Sequence, residues 1–319
     1  MRRSILDTEQ ERNAGQKINN NVMSNRKDME TDMYKLLITG SNGQLGRAIT
    51  NMYAANEEIE LIRTDVAGED IIKLDIINID EVMELVKKEQ PYAIINCAAH
   101  TAVDACETDV DNAYKINAIG PRNLSIAAKA VGAKMVQIST DYVFAGDADK
   151  PYTEFDEPNP QGVYGKTKLE GENFVKQFAD RFFIIRTAWL YGDGKNFVKT
   201  MLRLSETNDK VRVVSDQYGS PTSTVELAKI IDKLLWTDNY GVFHGTCEGS
   251  CSWADFTKEI FRLAGKSTEV EYITTAEYPT PAKRPAYSVL DKYMLRLTCG
   301  YVPADWKIAI KEYMESGLV

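Results

Sequence analysis

Long apolar runs are missing from this 319-residue chain, and with them any segment of the roughly 20 residues that a membrane-spanning helix needs. A basic excess is missing too. Lys and Arg number 38 against 47 Asp and Glu, and the formal charge of −9 with a pI near 5.0 argues against nucleic acid as a partner. Cysteine is sparse: the five residues Cys97, Cys106, Cys247, Cys251 and Cys299 are odd in number, form no CxxC pair and follow no secretory h-region. A disulfide framework is therefore not expected, and a reducing, cytoplasmic setting fits. His244, Cys247 and Cys251 lack a fourth ligand group, so they read as structural residues and no metal site is expected. No internal repeat or low-complexity tract occurs.

What is present falls into three stretches. Residues 1–32 are polar, mixed in charge and without apolar periodicity, and are expected to be a disordered extension outside the fold; Met33 stands directly before the first apolar run. From residue 34 the pattern alternates. Strands are expected at 34–39, 59–63, 71–74, 93–96, 134–139 and 182–186, with helix-period segments between them, among them 44–55 and 165–177. This alternation predicts an α/β fold, a Rossmann-type doubly wound parallel sheet, over a dinucleotide-binding domain at 33–194. Beyond residue 195 helical segments starting near Phe197, Val225, Trp253 and Ala304 are separated by Pro-, Thr- and Gly-rich loops, which reads as a smaller mixed substrate lobe, 195–319, with some segments returning to the first domain.

Two motifs carry chemistry. The turn Gly40-Ser41-Asn42-Gly43-Gln44-Leu45-Gly46 follows a strand and opens a helix. There the glycines permit the tight turn, let backbone approach a pyrophosphate and let helix pack on strand. Its spacing is GxxGxxG, and only its place between strand and helix makes it specific. Asp65, at the end of the second expected strand, suits the adenosine ribose and NADH; Arg47 and Arg63 suit a 2′-phosphate and NADPH, so both cofactors stay open.

The second motif is Tyr164-Gly165-Lys166-Thr167-Lys168, which sets a phenol and an ammonium on one helical face. A rival match, Tyr191 to Lys195, contains two glycines and reads as a loop, so Tyr164 and Lys168 are the better pair. Thr140, at the carboxyl end of an expected central strand, places a hydroxyl where open α/β sheets bind ligands, although taken alone it reads more simply as satisfying a strand-end backbone group. Together these imply a nicotinamide-dependent oxidoreductase.

Through these motifs the chain resembles the extended short-chain dehydrogenase/reductases, and within them the dTDP-4-dehydrorhamnose reductase family. The resemblance rests on the GxxGQLG turn, YGKTKLEGE, the run Asn96 to Asp104, STDYVF at 139–144, RTAWLYG at 186–192, Ser220 to Thr224 and Arg284 to Asp291. It implies NADPH- or NADH-dependent reduction of the 4-keto group of dTDP-4-dehydro-L-rhamnose, a step toward a polysaccharide. It implies that Tyr164 is the proton donor, Lys168 its partner and a ribose ligand, Thr140 the polarising hydroxyl and Asn117 the proton-relay residue. Asp75 and Ile76 would flank the adenine, and Ala98, Ala99 and Thr101 would line the cofactor. Thr101, Val103, Asp141, Tyr142 and Trp189 would contact the sugar, and Arg284 the diphosphate.

The chain departs from the family pattern at Tyr287, where a small polar residue is expected, and at Cys106, which replaces a charged residue. Partners are thus expected to be a nucleotide sugar and, as an open alternative, a second copy in a homodimer. Other nucleotide-sugar reductases, epimerases, and a non-catalytic subunit resembling the methionine adenosyltransferase beta subunit share the pattern. Dehydration is disfavoured because Asp141-Tyr142 replaces the Asp-Glu pair that typically follows the catalytic Thr in dehydratases.

Overall fold

A computed structural model describes residues 33–319, and the expectation for residues 1–32 lies outside the described residues. Seven strands make one sheet: β1 (Tyr34–Thr39), β2 (Ile59–Asp65), β3 (Ile72–Lys73), β4 (Ala93–Asn96), β5 (Lys134–Thr140), β6 (Phe182–Thr187) and β7 (Gly241–His244). Their spatial order is β7-β6-β5-β4-β1-β2-β3, and every pairing is parallel. The doubly wound parallel sheet read from the alternation is therefore the fold. The expected strand at 71–74 shrinks to two residues, pairing only through Thr64 and Asp65 at the sheet edge.

Continuous apolar strands follow from burial on both faces. Leu36 and Ile38 of β1 pack on one face of the sheet with Ile95, Val136 and Ile185, whereas Leu37 packs on the other with Ile94, Met135 and Ile184. The first face is covered by α1 (Gln44–Tyr53) and by Thr224–Leu235. The second is covered by α2 (Ile79–Glu89), α3 (Gly120–Val131) and α4 (Val163–Phe178). Local signals set the helix ends. Asn78 caps α2 by accepting from the Asp80 and Glu81 amides, and Gly132, at φ 71°, ends α3.

A second hydrophobic core gathers Tyr191, Val198, Phe256, Ile260, Trp306 and Tyr313. It is framed by the helices Phe197–Ser205, Trp253–Leu263 and Trp306–Glu315 and by a parallel strand pair, Lys210–Val214 with Glu269–Ile273. The chain enters this core after β6, leaves it to supply Thr224–Leu235 and β7 to the main sheet, and then returns.

Candidate active site

Strand order reverses between β1 and β4, and open α/β sheets bind ligands in the crevice at such a point, outside the carboxyl ends of the strands. Here the loops after β1 and β4 touch. A Cβ on Gly40, which sits at φ 63°, would lie 2.7 Å from the Ala98 amide nitrogen, so only glycine fits. Gly46 is equally constrained, since its Cβ would meet the Gly40 carbonyl oxygen at 2.4 Å.

The helix that opens at this turn has Gly43 at its N-cap, with no side-chain cap and no acidic residue in its first turn. Its amino end therefore keeps backbone donors and dipole for an anion. Ser41 Oγ and Gln44 Oε1 are buried there without a hydrogen-bond partner in the protein. These features fit a dinucleotide pyrophosphate.

Around the turn, Asp65 accepts from the Asn42 amide at 3.1 Å and the Val66 amide at 2.8 Å, while Asn42 Nδ2 donates to the Ala67 carbonyl. The two arginines weighed for a 2′-phosphate are engaged elsewhere. Arg47 pairs with Asp193 at 2.8 Å and donates to the Asn42 carbonyl, and Arg63 donates to the Asp70 carbonyl. Asp75 takes the Ile77 amide at 3.1 Å, and Ile76 is buried against Gly120.

Beyond β4, Ala98 and Ala99 are half-buried and Thr101 is exposed, followed by the short helix Val103–Cys106. Asn117 occupies a wide, π-type turn, Lys115–Ile119, directly before α3. Its side-chain amide clamps the crevice loop: Oδ1 accepts from the His100 amide at 2.8 Å, and Nδ2 donates to the His100 carbonyl and to Thr167 Oγ1, both at 3.1 Å.

Tyr164 and Lys168 lie on α4, whose first residue, Val163, donates its amide to Glu107 Oε1 at 2.8 Å. The helix runs close beneath the turn after β5, and a Cβ on Gly165 would sit 2.1 Å from the Tyr142 carbonyl oxygen. The Tyr142 and Tyr164 rings meet edge to face at 5.5 Å.

Lys168 is buried and donates from Nζ to the Ile138 carbonyl at 2.6 Å. Burial brings its pKa down to about 8, against the pull of the Glu172 carboxylate. The Tyr164 phenol is pushed up from its ordinary value, chiefly by burial, with the Thr140 hydroxyl drawing it back. Thr140 is buried at the end of β5, donates to Asp141 Oδ1 at 2.9 Å and accepts from the Tyr142 amide. Asp141 is itself buried, which pushes its carboxyl up to about 6.

On the far side of the crevice, Arg284 bonds to the Tyr142 hydroxyl and to Asp104. Trp189 takes the left-handed backbone conformation, φ 49°, unusual for a bulky residue. Its indole stacks on Trp253, with centroids 3.5 Å apart and planes 6° apart. The rival Tyr191–Lys195 match begins in the two-residue strand Leu190–Tyr191 and continues as a loop, and Tyr191 is buried in the second core.

The turn, the Thr140 strand end and the Tyr164–Lys168 helix thus converge at the carboxyl ends of the central strands. A family model described as the RmlD substrate binding domain matches residues 34–318. The chain belongs to the dTDP-4-dehydrorhamnose reductase family. A dTDP-4-dehydrorhamnose reductase of Aggregatibacter actinomycetemcomitans is 41% identical over 292 residues, covering 88% of this chain and 98% of that protein. Among solved structures, a Clostridium acetobutylicum dTDP-4-dehydrorhamnose reductase is 57% identical with a TM-score of 0.85, over 88% of this chain and 99% of that one. A Bacillus anthracis dTDP-4-dehydrorhamnose reductase in complex with NADP is 42% identical, also with a TM-score of 0.85, over 89% of this chain and 99% of that one.

Several residues of this reductase-family site carry weak sequence signals. Glu107, Asp104, Glu172, Arg186 and Trp253 hold the motif residues in place, yet each is a lone polar or aromatic residue whose partner is distant in sequence. Glu172 had the clearest signal, four residues beyond Lys168 on the same helical face.

Proposed function

We propose that this reductase-family protein converts the 4-keto group of dTDP-4-dehydro-L-rhamnose to the alcohol, giving dTDP-L-rhamnose for polysaccharide biosynthesis, with NADPH or NADH as reductant. The observation that carries this reading is the convergence of Thr140, Tyr164 and Lys168 beside the crevice where the Gly40 turn meets Ala98.

When bound, the nicotinamide dinucleotide supplies a hydride to the keto carbon. Gly40, Asn42, Gly43, Gln44, Leu45 and Gly46 would hold its pyrophosphate against the uncapped helix end, with Asp65, Asp75 and Ile76 toward the adenosine and Ala98, Ala99 and Thr101 along the rest.

The sugar oxygen gains negative charge during reduction. Thr140, whose hydroxyl donates to Asp141 at rest, turns that hydrogen bond to the developing oxyanion. Tyr164 then donates its proton to the same oxygen. Burial keeps this phenol neutral until the oxyanion forms, and an ammonium at Lys168, one turn along the same helix, would favour release of the proton. Asn117, which anchors the loop and the helix together, serves the proton path to Tyr164. Thr101, Val103, Asp141, Tyr142 and Trp189 line the sugar, and Arg284 offers its guanidinium to the diphosphate.

The test is loss of absorbance at the reduced-nicotinamide band with dTDP-4-dehydro-L-rhamnose made in situ, NADPH and NADH being compared. Sugar-dependent oxidation that falls by roughly a thousandfold in Tyr164→Phe, with dinucleotide binding retained, is the expected result. Normal turnover in Tyr164→Phe overturns the assignment.

A further inference from the structure

Beyond Lys168 on the same helix lies a buried ionic pair that the reduction does not use. Glu172 is fully buried on α4, four residues beyond Lys168. Its carboxylate accepts from Ser139 Oγ at 2.6 Å, from Arg186 Nε at 2.9 Å and from Arg186 Nη2 at 2.7 Å. Arg186, on β6, is only 2% exposed and sits 5.0 Å over the Phe144 ring. Lys176, one turn further along α4, comes within 3.8 Å of the same carboxylate from the solvent side.

Removing two charges from water is costly, and apolar residues of similar size commonly stabilise a fold as well or better. The position of the pair gives it another use. Ser139 stands between Ile138, whose carbonyl holds the Lys168 ammonium, and Thr140, which carries the hydroxyl. One carboxylate therefore ties the strand end that presents Thr140 to the helix that presents Tyr164 and Lys168. It also supplies negative charge to Lys168. Burial works against that ammonium, and of the groups acting in its favour Glu172 is the stronger, ahead of Cys97 in the loop after β4.

We propose that Glu172, clamped by Arg186 and Ser139, is a positioning residue of the reductase site that keeps Lys168 an ammonium and holds Thr140 in register with the Tyr164–Lys168 face. The kinetic half of its test rests on the reduction proposed above; the binding half does not.

Glu172→Gln keeps the side-chain shape and removes the charge. Because this leaves Arg186 buried and unpaired, the double variant Glu172→Gln/Arg186→Gln is made alongside, and thermal unfolding followed by circular dichroism decides which is read. In folded Glu172→Gln the high-pH loss of kcat sets in roughly one pH unit below that of the wild-type protein, as expected when a buried ammonium loses a nearby carboxylate, and in the double variant it sets in below that of Arg186→Gln, the reference that already lacks the guanidinium. The KM for the sugar at pH 6 stays unchanged.

Affinity for NADPH, followed by fluorescence, shows the same downward shift of its high-pH limb without any turnover. Glu172→Asp, which keeps the charge, reverses most of the shift. If both limbs stay at the pH of the matching reference in a folded variant, the proposal is overturned. If the variant shows the binding shift while neither it nor the wild-type protein reduces the sugar, the substrate assignment is removed and the role of Glu172 stands.

Discussion

Arg284 donates from Nη1 to the Tyr142 hydroxyl at 3.1 Å, although 142 positions of chain separate the two residues. Its Nη2 pairs with Asp104 at 2.6 Å, and Asp104 also accepts from the Ala282 amide. The loop after β4, the turn after β5 and the C-terminal segment thus meet through one guanidinium. All three side chains are partly exposed, so the ion pair contributes little to stability. Its planar fork matters more for binding. Arg284→Gln is expected to raise the KM for the nucleotide sugar by about 10- to 100-fold with kcat nearly kept, as read from initial rates across substrate concentration. An equal fall in kcat at constant KM would place Arg284 outside substrate binding.

Trp189 can hold its strained conformation because the space around it is filled. A Cβ on Gly219 would come within 2.5 Å of the Trp189 indole, and Trp253 covers one face of the ring. Gly219→Ala is therefore expected to displace the indole, costing about 1–3 kcal/mol of stability and weakening sugar binding more than dinucleotide binding. Urea unfolding and separate ligand titrations check this; unchanged sugar affinity would make Trp189 a purely structural residue.

Two buried groups give the fold opposing responses to pH. Asp141 holds its proton up to about pH 6 when folded, against an ordinary value of 3.8, so stability falls as pH rises from about 4 to 6. His244 is fully buried and titrates at about 3 instead of 6.5, so its contribution is lost as pH falls from 6.5 toward 3. The two slopes oppose each other between pH 4 and 6. Asp141→Asn should be more stable than wild type by roughly 2–4 kcal/mol at pH 7–8, an advantage that vanishes below pH 4. Denaturant unfolding at pH 3.5, 5 and 7.5 reads the difference; an advantage independent of pH would show that the carboxyl is not its source.

Much of this architecture is legible in the residues because local and global preferences agree. Leu36, Leu37 and Ile38 cannot be covered by a sheet with one wet face, and the glycine turn needs a strand before it and a helix after it. The Tyr164–Lys168 pair could be separated from its rival because Gly192 and Gly194 spoil a helix whereas Gly165 continues one. Gly165 in fact serves close packing under Tyr142.

Pairings made far along the chain are harder to read. Lys210–Val214 shows an alternating pattern but finds its partner strand at Glu269–Ile273, and Glu172 finds Arg186 on a neighbouring strand. Neither partner is implied by local periodicity. Long separation also hides the links from Asp104 to Arg284 and from Trp189 to Trp253, since a single charge or ring carries no sign of what it will face.

The edge strand β7 pairs with β6 only after the chain has passed through the second core, and the helix Thr224–Leu235 packs into the same face of the sheet. During synthesis, then, the sheet that forms the dinucleotide crevice stays uncovered along β6 until residue 244 has left the ribosome. A chain stopped after Gly194 is expected to expose Phe183 and Ile185 and to lack a cooperative thermal transition, so a sharp melt of that fragment would contradict this order. Nascent chains of this protein are then expected to carry a bare apolar sheet edge from Thr187 until Gly241–His244 has followed, and chaperone demand should peak in that interval, before the second core is complete.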